Sequence, residues 1–366
     1  MSRILAKKKY THRKVPKLVG ANYRAELPTQ KYRVLLTGIS GSIGCHVFAH
    51  IMHNTDWHVV GVASFRHKGW SDRITHMFIE HPDWQKRLTM ITHDIAAPFS
   101  PLTIKKIGQI DYVINLAAYS DVYDSIQNPV QTIRNNVDVA VNMLEYAREA
   151  KPKAFIQFST DEVYGPTDGV EVYKEWAPIV PSNPYAASKA CQEAIAISYW
   201  RTYGVPVVIT NTMNNFGEMQ QPSKFPVIVQ KAVESGERLT IHGEEGNMGS
   251  RSYIHSRNVA DALLFILQQP VYMHTPDTVD KPDRYNIAGD RQLSNLELAK
   301  LVADYVGKPL HYELESSQFT RPGHDKHYGL DDTKLKDMGW KSPVPFEQSL
   351  KNTVEWQKEH KEWLEV

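Results

Sequence analysis

Between residues 33 and 212 the chain alternates short apolar, β-branched runs with longer amphipathic stretches. The runs at 33–37, 58–63, 88–92, 112–116, 154–159 and 205–210 predict strands. Their near-continuous apolar character marks strands buried on both faces, as in a parallel sheet covered by helices. Stretches with helical spacing, such as 129–150, supply the crossovers. Right-handed crossovers make this an α/β fold with a doubly wound parallel sheet. From about Met213 the pattern turns irregular, with loops expected at 243–249 and 275–283. That predicts a smaller α/β unit over the carboxyl edge of the sheet. The expected division is an arm over 1–30, a sheet-bearing unit over 31–212 plus about 255–275, and a second unit over about 213–254 plus 276–366.

Composition narrows the function. The 366 residues are 42% hydrophobic and 23% charged, enough for one large or two intimately joined units. A net charge of +1 argues against a nucleic-acid partner, whose footprint is a strong basic excess. The first 33 residues are the exception, rich in Lys and Arg with Glu26 as their one acid. They lack the apolar core of a secretory leader and read as a solvated arm, with an anionic partner as the alternative. No apolar run is long enough to suggest a membrane partner. Cys45 and Cys191 are the only cysteines, which argues against a disulfide framework and for a reducing cytoplasm. The 16 histidines show no ligand spacing, so no metal is expected.

Gly38-x-x-Gly41-x-x-Gly44 follows the first strand and precedes a helix. In that context the glycines give a tight turn, close approach of a phosphate and close helix packing. Ser40 and Ile43 belong to the same turn and join the candidate cofactor residues. The second strand ends Val62-Ala63-Ser64-Phe65-Arg66-His67-Lys68, without the acid that holds the ribose 2′-hydroxyl of NAD. Ser64 with Arg66 or Lys68 suits a 2′-phosphate, favouring NADP over NAD, unless these cations only decorate a loop. Asp94 and Ile95 follow the third strand, where an Asp can meet the adenine amino group.

A Tyr-x-x-x-Lys spacing occurs twice. Tyr10 and Lys14 lie in the basic arm with no strand before them and receive no function. Tyr185 and Lys189 follow Ser182-Asn183-Pro184, which reads as a helix cap with Pro in the first turn, so both face one side. The Lys189 ammonium is expected to draw the phenol down from about 10 towards working pH. Lys189 can also hold a nicotinamide ribose. Thr160, Asp161 and Glu162 end the fifth strand on the same edge as the glycine turn. Thr160 can hydrogen-bond a reacting oxygen. Two neighbouring carboxyls can hold different protonation states, so one removes a proton while the other gives one.

At these residues the chain resembles the extended short-chain dehydrogenase/reductases, and within them the nucleotide-sugar 4,6-dehydratases. It is most similar to their dTDP-glucose branch, with GDP-mannose-branch features at 61–64 and 71–76. The resemblance runs from about Tyr32 to Glu359. It implies that Leu116, Ala117, Ala118 and Asn136 belong to the cofactor site. It also implies that Ser120, Asp121, Asn215, Lys224, Arg251, Asn286, Arg321 and His324 bind the nucleotide sugar. Arg and Lys suit its diphosphate, although such cations are also ordinary surface residues. Two departures stand out: Asp121 where relatives read His, and Tyr123 where Asp is frequent.

The implied reaction is oxidation at C4 with Tyr185 as base, loss of water across C5 and C6 through Glu162 and Asp161, and hydride return to C6. A C4 epimerase or a decarboxylase on the same scaffold needs no such acid–base pair. A non-catalytic NADP-binding sensor could dispense with Tyr185. A homodimer is expected through the helix after Pro129 and the one carrying Tyr185. Val137, Val141, Leu144, Ala186, Ala190, Ala194 and Ile197 exceed what one sheet face covers.

Overall fold

Six apolar runs become parallel strands; five bury both faces, and the edge run 88–92 is only partly covered. The computed structural model describes residues 31–66, 69–244, 247–271, 280–315 and 327–365. Its first part alternates β1 (Arg33–Thr37), α1 (Ser42–Asn54), β2 (His58–Ala63), α2 (Ser71–Glu80), β3 (Leu88–Thr92), α3 (Pro101–Ile107) and β4 (Tyr112–Asn115). It continues through α4 (Val122–Gln127), α5 (Pro129–Ala150), β5 (Ala154–Thr160), α6 (Pro184–Tyr203) and β6 (Val207–Thr212). The later part runs β7 (Asn214–Phe216), α7 (Phe225–Ser235), β8 (Leu239–Glu244), β9 (Asn247–Met248), β10 (Ser250–His255) and α8 (Ser256–Leu267). It ends with β11 (Asp283–Ile287), β12 (Gln292–Ser294), α9 (Asn295–Val306), β13 (Tyr312–Glu315), α10 (Thr333–Asp337), α11 (Phe346–Glu359) and α12 (Glu362–Glu365).

The large sheet has the order β3-β2-β1-β4-β5-β6-β11, with every ladder parallel. This is a Rossmann-type doubly wound sheet. Alternate strand residues feed opposite layers. Val34, Leu36, Val59 and Ile156 pack under α1 and α8, whereas Leu35, Val60, Val113 and Phe155 pack under α5 and α6. Strand order reverses between β1 and β4, which opens a crevice at their carboxyl ends.

Two small sheets, β12-β10-β7 and β13-β8-β9, form the later part, with α7, α9 and α11 around one core. That core is stitched to the first part through buried polar contacts. Arg73 donates to Ser40 O at 2.7 Å and to Met219 O at 2.9 Å. Glu218 sits 3.1 Å from His255 and 3.7 Å from His46 of α1.

Several expectations are corrected. The sixth strand begins at Val207 rather than 205, since Pro206 has no amide hydrogen to give the ladder. Asp283–Ile287 pairs with β6 and completes the large sheet, although it was expected in the second unit. The 243–249 stretch holds an antiparallel pair, Glu244 opposite Asn247, in place of a plain loop. Leu144 and Ala186 are fully buried in the protomer's own core, so they are unavailable to a partner. The basic arm, His67, Lys68, Arg321 and His324 lie outside the described residues.

Candidate active site

The crevice floor is a chain of buried polar side chains. Thr37 ends β1, and its hydroxyl accepts from the amides of Leu116 at 3.0 Å and Ala117 at 3.1 Å. It donates to Asn115 Oδ1 at 2.8 Å. Asn115 donates to Gln157 at 3.0 Å, and Gln157 donates to Gln192 of α6 at 3.1 Å. Gln192 donates to the carbonyl of Asn136 at 2.7 Å and accepts from Lys189 Nζ at 2.5 Å. Asn136 itself does not line the cavity above. It brackets Tyr119 through both backbone groups and donates to Ser188 at 2.8 Å, so it acts as a support.

Above this floor lies a cavity of ≈ 590 Å³. The glycine turn forms one wall, with Gly38, Ser40, Gly41, Ile43 and Gly44 all on its lining. A Cβ on Gly44 would stand 2.0 Å from Gly38 O, and Gly38 adopts a φ of +67°. Only glycine fits this turn. No acidic residue occupies the first turn of α1 and no side chain caps it, so its amides suit a pyrophosphate. Leu116, Ala117 and Ala118 form the opposite wall. Ser64, Arg66, Asp94 and Ile95 line the β2–β3 side, and Tyr185 and Lys189 the β5 side. This long, two-ended cavity with a phosphate-type turn at its middle fits a nicotinamide dinucleotide.

At the β2–β3 end, Arg66 pairs with Asp94 at 2.6 Å. The carboxylate missing from β2 is thus supplied by the end of β3. Phe65 turns the chain there with a φ of +51°.

The chemical groups gather where β5 ends. Asp161 and Glu162 share one tight turn, Asp161–Tyr164. The Thr160 hydroxyl donates to Asp161 Oδ1 at 3.0 Å and acts on the Tyr185 phenol to lower it. Asn183 caps α6 by accepting from the Ala186 amide, and it donates to Glu162 Oε2 at 3.0 Å. Burial, then the Glu162 charge, pushes the Asp161 carboxyl up to about 7. Its Oδ2 meets no hydrogen-bond partner among the described residues. Lys189 is drawn down to about 8 by burial and donates to Phe158 O at 2.6 Å. Tyr185 departs from expectation: burial, with Glu162 and Asp161, raises its phenol well above the usual range. Burial is the larger cause, and the two carboxylates add to it.

The second part contributes at the mouth. Lys224 and Asp121 approach to 4.0 Å across the cleft, and Ser120 and Asp121 line the cavity. Asp121 also caps α4 through the Asp124 amide at 3.1 Å. Asn215 donates to Met213 O at 2.9 Å, and its Oδ1 meets no hydrogen-bond partner among the described residues. Arg251 lies 4.8 Å over the Tyr328 ring, and its charge reaches Asp161. Asn286 differs from its expected role. It is fully buried and donates to Tyr173 O and Asp331 O, which leaves it no face for substrate.

Sequence reading alone missed Thr37, Gln192 and Gln221. Gln221 lines the cavity with an Oε1 that meets no hydrogen-bond partner among the described residues. Asn183 was legible as a cap but not as a partner of Glu162.

A family model described as GDP-mannose 4,6 dehydratase matches residues 35–353. The chain belongs to this dehydratase family. Its relatives include the low-salt glycan biosynthesis protein Agl12 of Haloferax volcanii, 32% identical, covering 88% of this chain and 97% of that protein. The dTDP-glucose 4,6-dehydratase of Neisseria meningitidis is 31% identical, covering 90% of this chain and 94% of that protein. Among solved structures, the dTDP-glucose 4,6-dehydratase DesIV of Streptomyces venezuelae, solved with NAD bound, superposes with a TM-score of 0.79. It is 27% identical, covering 91% of this chain and 99% of that one. A UDP-glucuronic acid 4-epimerase from Bacillus cereus, 24% identical with a TM-score of 0.78, shares the dehydratase family's fold and covers 90% of this chain and 99% of that one.

The raised Asp161 makes a stability prediction. Its native form holds a proton more tightly than the unfolded chain, so stability falls as pH rises from about 4 towards about 7. Above that range the full cost of the buried charge remains. Asp161→Asn removes this cost and is expected to stabilise the fold by roughly 2–4 kcal/mol at pH 8, a gain shrinking towards pH 4. Urea denaturation at both pH values measures it; equal stabilities at pH 8 would contradict the raised carboxyl.

Proposed function

We propose that the chain is a nucleotide-sugar 4,6-dehydratase that turns a nucleoside-diphosphate hexose into its 4-keto-6-deoxy form. The observation that carries this reading is the pair of carboxyls, Asp161 and Glu162, on one tight turn, with Asp161 held up to about 7 so that it can take up a proton and give it away near neutrality. Epimerisation at one carbon uses no such pair; elimination of water uses both.

A bound nicotinamide dinucleotide supplies the acceptor for the C4 hydride and returns it at C6, so net redox change is zero. Tyr185 takes the C4 hydroxyl proton. Its own phenol is held high, so its proton moves on through the neighbouring Thr160 hydroxyl to Asp161, which enters this step as a carboxylate. The C4 ketone then acidifies C5–H, and Glu162, oriented by Asn183, removes that proton. Asp161 gives its proton to the departing C6 hydroxyl, and Glu162, its proton exchanged with solvent, protonates C5. The proton lost at C4 leaves in the water formed, and each side chain ends as it began. Lys189 has two of its three N–H groups engaged by Phe158 and Gln192 and turns towards the cavity, where it suits a ribose. Arg251, Lys224 and Asn215 are the residues that would take the diphosphate and nucleotide. In this reading the large sheet with α8 holds the dinucleotide and the later elements hold the sugar nucleotide. Two free cysteines suit a reducing cytoplasm.

Incubation with dTDP-, UDP-, CDP- and GDP-hexoses, followed by mass spectrometry, is expected to show loss of water from at least one. In deuterated water that product gains deuterium at C5. Glu162→Gln is expected to lower product formation by about 10²-fold or more, the scale of a lost general base. Unimpaired water loss by this variant would sink the assignment.

NADP is the expected dinucleotide, because Arg66 stands at the adenosine-ribose end. Releasing Arg66 from Asp94 costs about 1 kcal/mol or less at this exposure, so the preference over NAD is modest, about tenfold. Arg66→Ala is expected to erase it in calorimetric titrations of the apoprotein. Tighter binding of NAD by the wild type would refute the preference.

The chain is expected to be a homodimer through α5 and α6. Val130 and Ile133 are exposed at 61% and 36%, and Ala194 lies outward on α6. Light scattering at micromolar concentration is expected to give twice the chain mass. A clean monomer would refute it.

A further inference from the structure

Glu193 stands one helical turn beyond Lys189 on α6 and has no exposed surface. Its Oε2 accepts from Arg284 of β11 at 2.7 Å, and that guanidinium is itself 1% exposed. Its Oε1 accepts from Asn211 of β6 at 2.8 Å. The same Asn211 amide donates to the carbonyl of Thr160 at 3.0 Å. Arg284 lies 4.4 Å over Trp176 and donates to the Tyr164 hydroxyl at 3.2 Å, and Tyr164 belongs to the turn that carries Asp161 and Glu162.

An ion pair this deep adds little as structure, because the cost of stripping both ions of water offsets their attraction, and an apolar pair of equal volume serves as well. What an apolar pair cannot do is place a buried negative charge one helical turn from Lys189. We propose that Glu193 is a positioning residue for Lys189, holding that buried side chain as an ammonium ion and, through Asn211, fixing the backbone of Thr160. The proposal rests on the reading of Lys189 as part of the active site.

Burial favours loss of the Lys189 proton, and Glu193 is the charge that opposes it. Other charged or titratable groups around the lysine are identifiable. Tyr185 lies on α6, Asp161 and Glu162 on the turn after β5, and Asp121 and Asp124 at the start of α4 on the same cavity. The residues that β6 and α5 bring to this network are amides, Asn211 and Asn136. Glu193 is therefore the anion nearest along the lysine's own helix, and unlike the carboxylates of the cavity it is shielded from whatever binds there.

The test is a titration of apoprotein labelled with ¹³C at lysine Cε, the Lys189 signal being identified by its loss in Lys189→Met. The wild-type midpoint is expected near about 8. In the paired variant Glu193→Gln with Arg284→Gln, which keeps the volume without either charge, the midpoint is expected to fall by about one unit, a tenfold weaker hold on the proton. Glu193→Gln alone is expected to fall further, because Arg284 is left uncompensated. An unmoved midpoint in the folded paired variant overturns the proposal. Turnover of Lys189→Met on the hexose found by the substrate panel is measured alongside. Retained turnover there overturns the reading of the site, whereas the titration judges Glu193 separately.

Discussion

Buried amides must find partners, and the line of Thr37, Asn115, Gln157 and Gln192 satisfies that demand in one way only. An amide left without a partner in such a place costs about 1–3 kcal/mol, so each member fixes the next. Three adjacent strands and two helices are thereby held in register at the level where the crevice opens. The glycine turn, the 116–118 wall and Lys189 take their positions from this line. A sheet held by apolar packing alone would tolerate small slips that such a line forbids.

On that floor the protein buries ionisable groups with opposite consequences. Burial raises Asp161 and Tyr185 and lowers Lys189, so each is pressed towards its neutral form. Site chemistry then depends on which charges are placed to resist. Glu162, with Asn183 bonded to it, supplies one fixed anion, and Glu193 supplies another below. The outcome is a phenol reluctant to ionise beside a carboxyl ready to accept its proton, with the Thr160 hydroxyl bonded to that carboxyl. Proton passage along such a line needs no water to enter.

The sheet was legible because apolar runs buried on both faces leave few alternatives, and the turn at Gly38 was legible because only glycine satisfies it. The cluster at Thr160–Glu162 could be read from its place after a buried strand. What escaped the sequence depended on packing across long separations. The β11 ladder pairs Asn286 with Asn211, 75 positions apart, and nothing local distinguishes Asn286 as a support from Asn286 as a ligand. The Tyr185 phenol was misjudged for the same reason: helical spacing places Lys189 one turn away but says nothing of how deeply the phenol is buried or of the carboxylates near it. Arg66 was legible as a cation, whereas its Asp94 partner comes from a different strand.

Arg73, His46 and His255 stitch the early and late halves of the chain together at the helix behind the glycine turn. Peeling the later sheets away would take the Met219 carbonyl from the buried Arg73 guanidinium and His46 from the Glu218 carboxylate, so the seam is no easier to open than either core. Heat therefore meets one cooperative melting event in place of two. A dinucleotide lodged in the crevice then protects by mass action the whole chain, including strands it never touches.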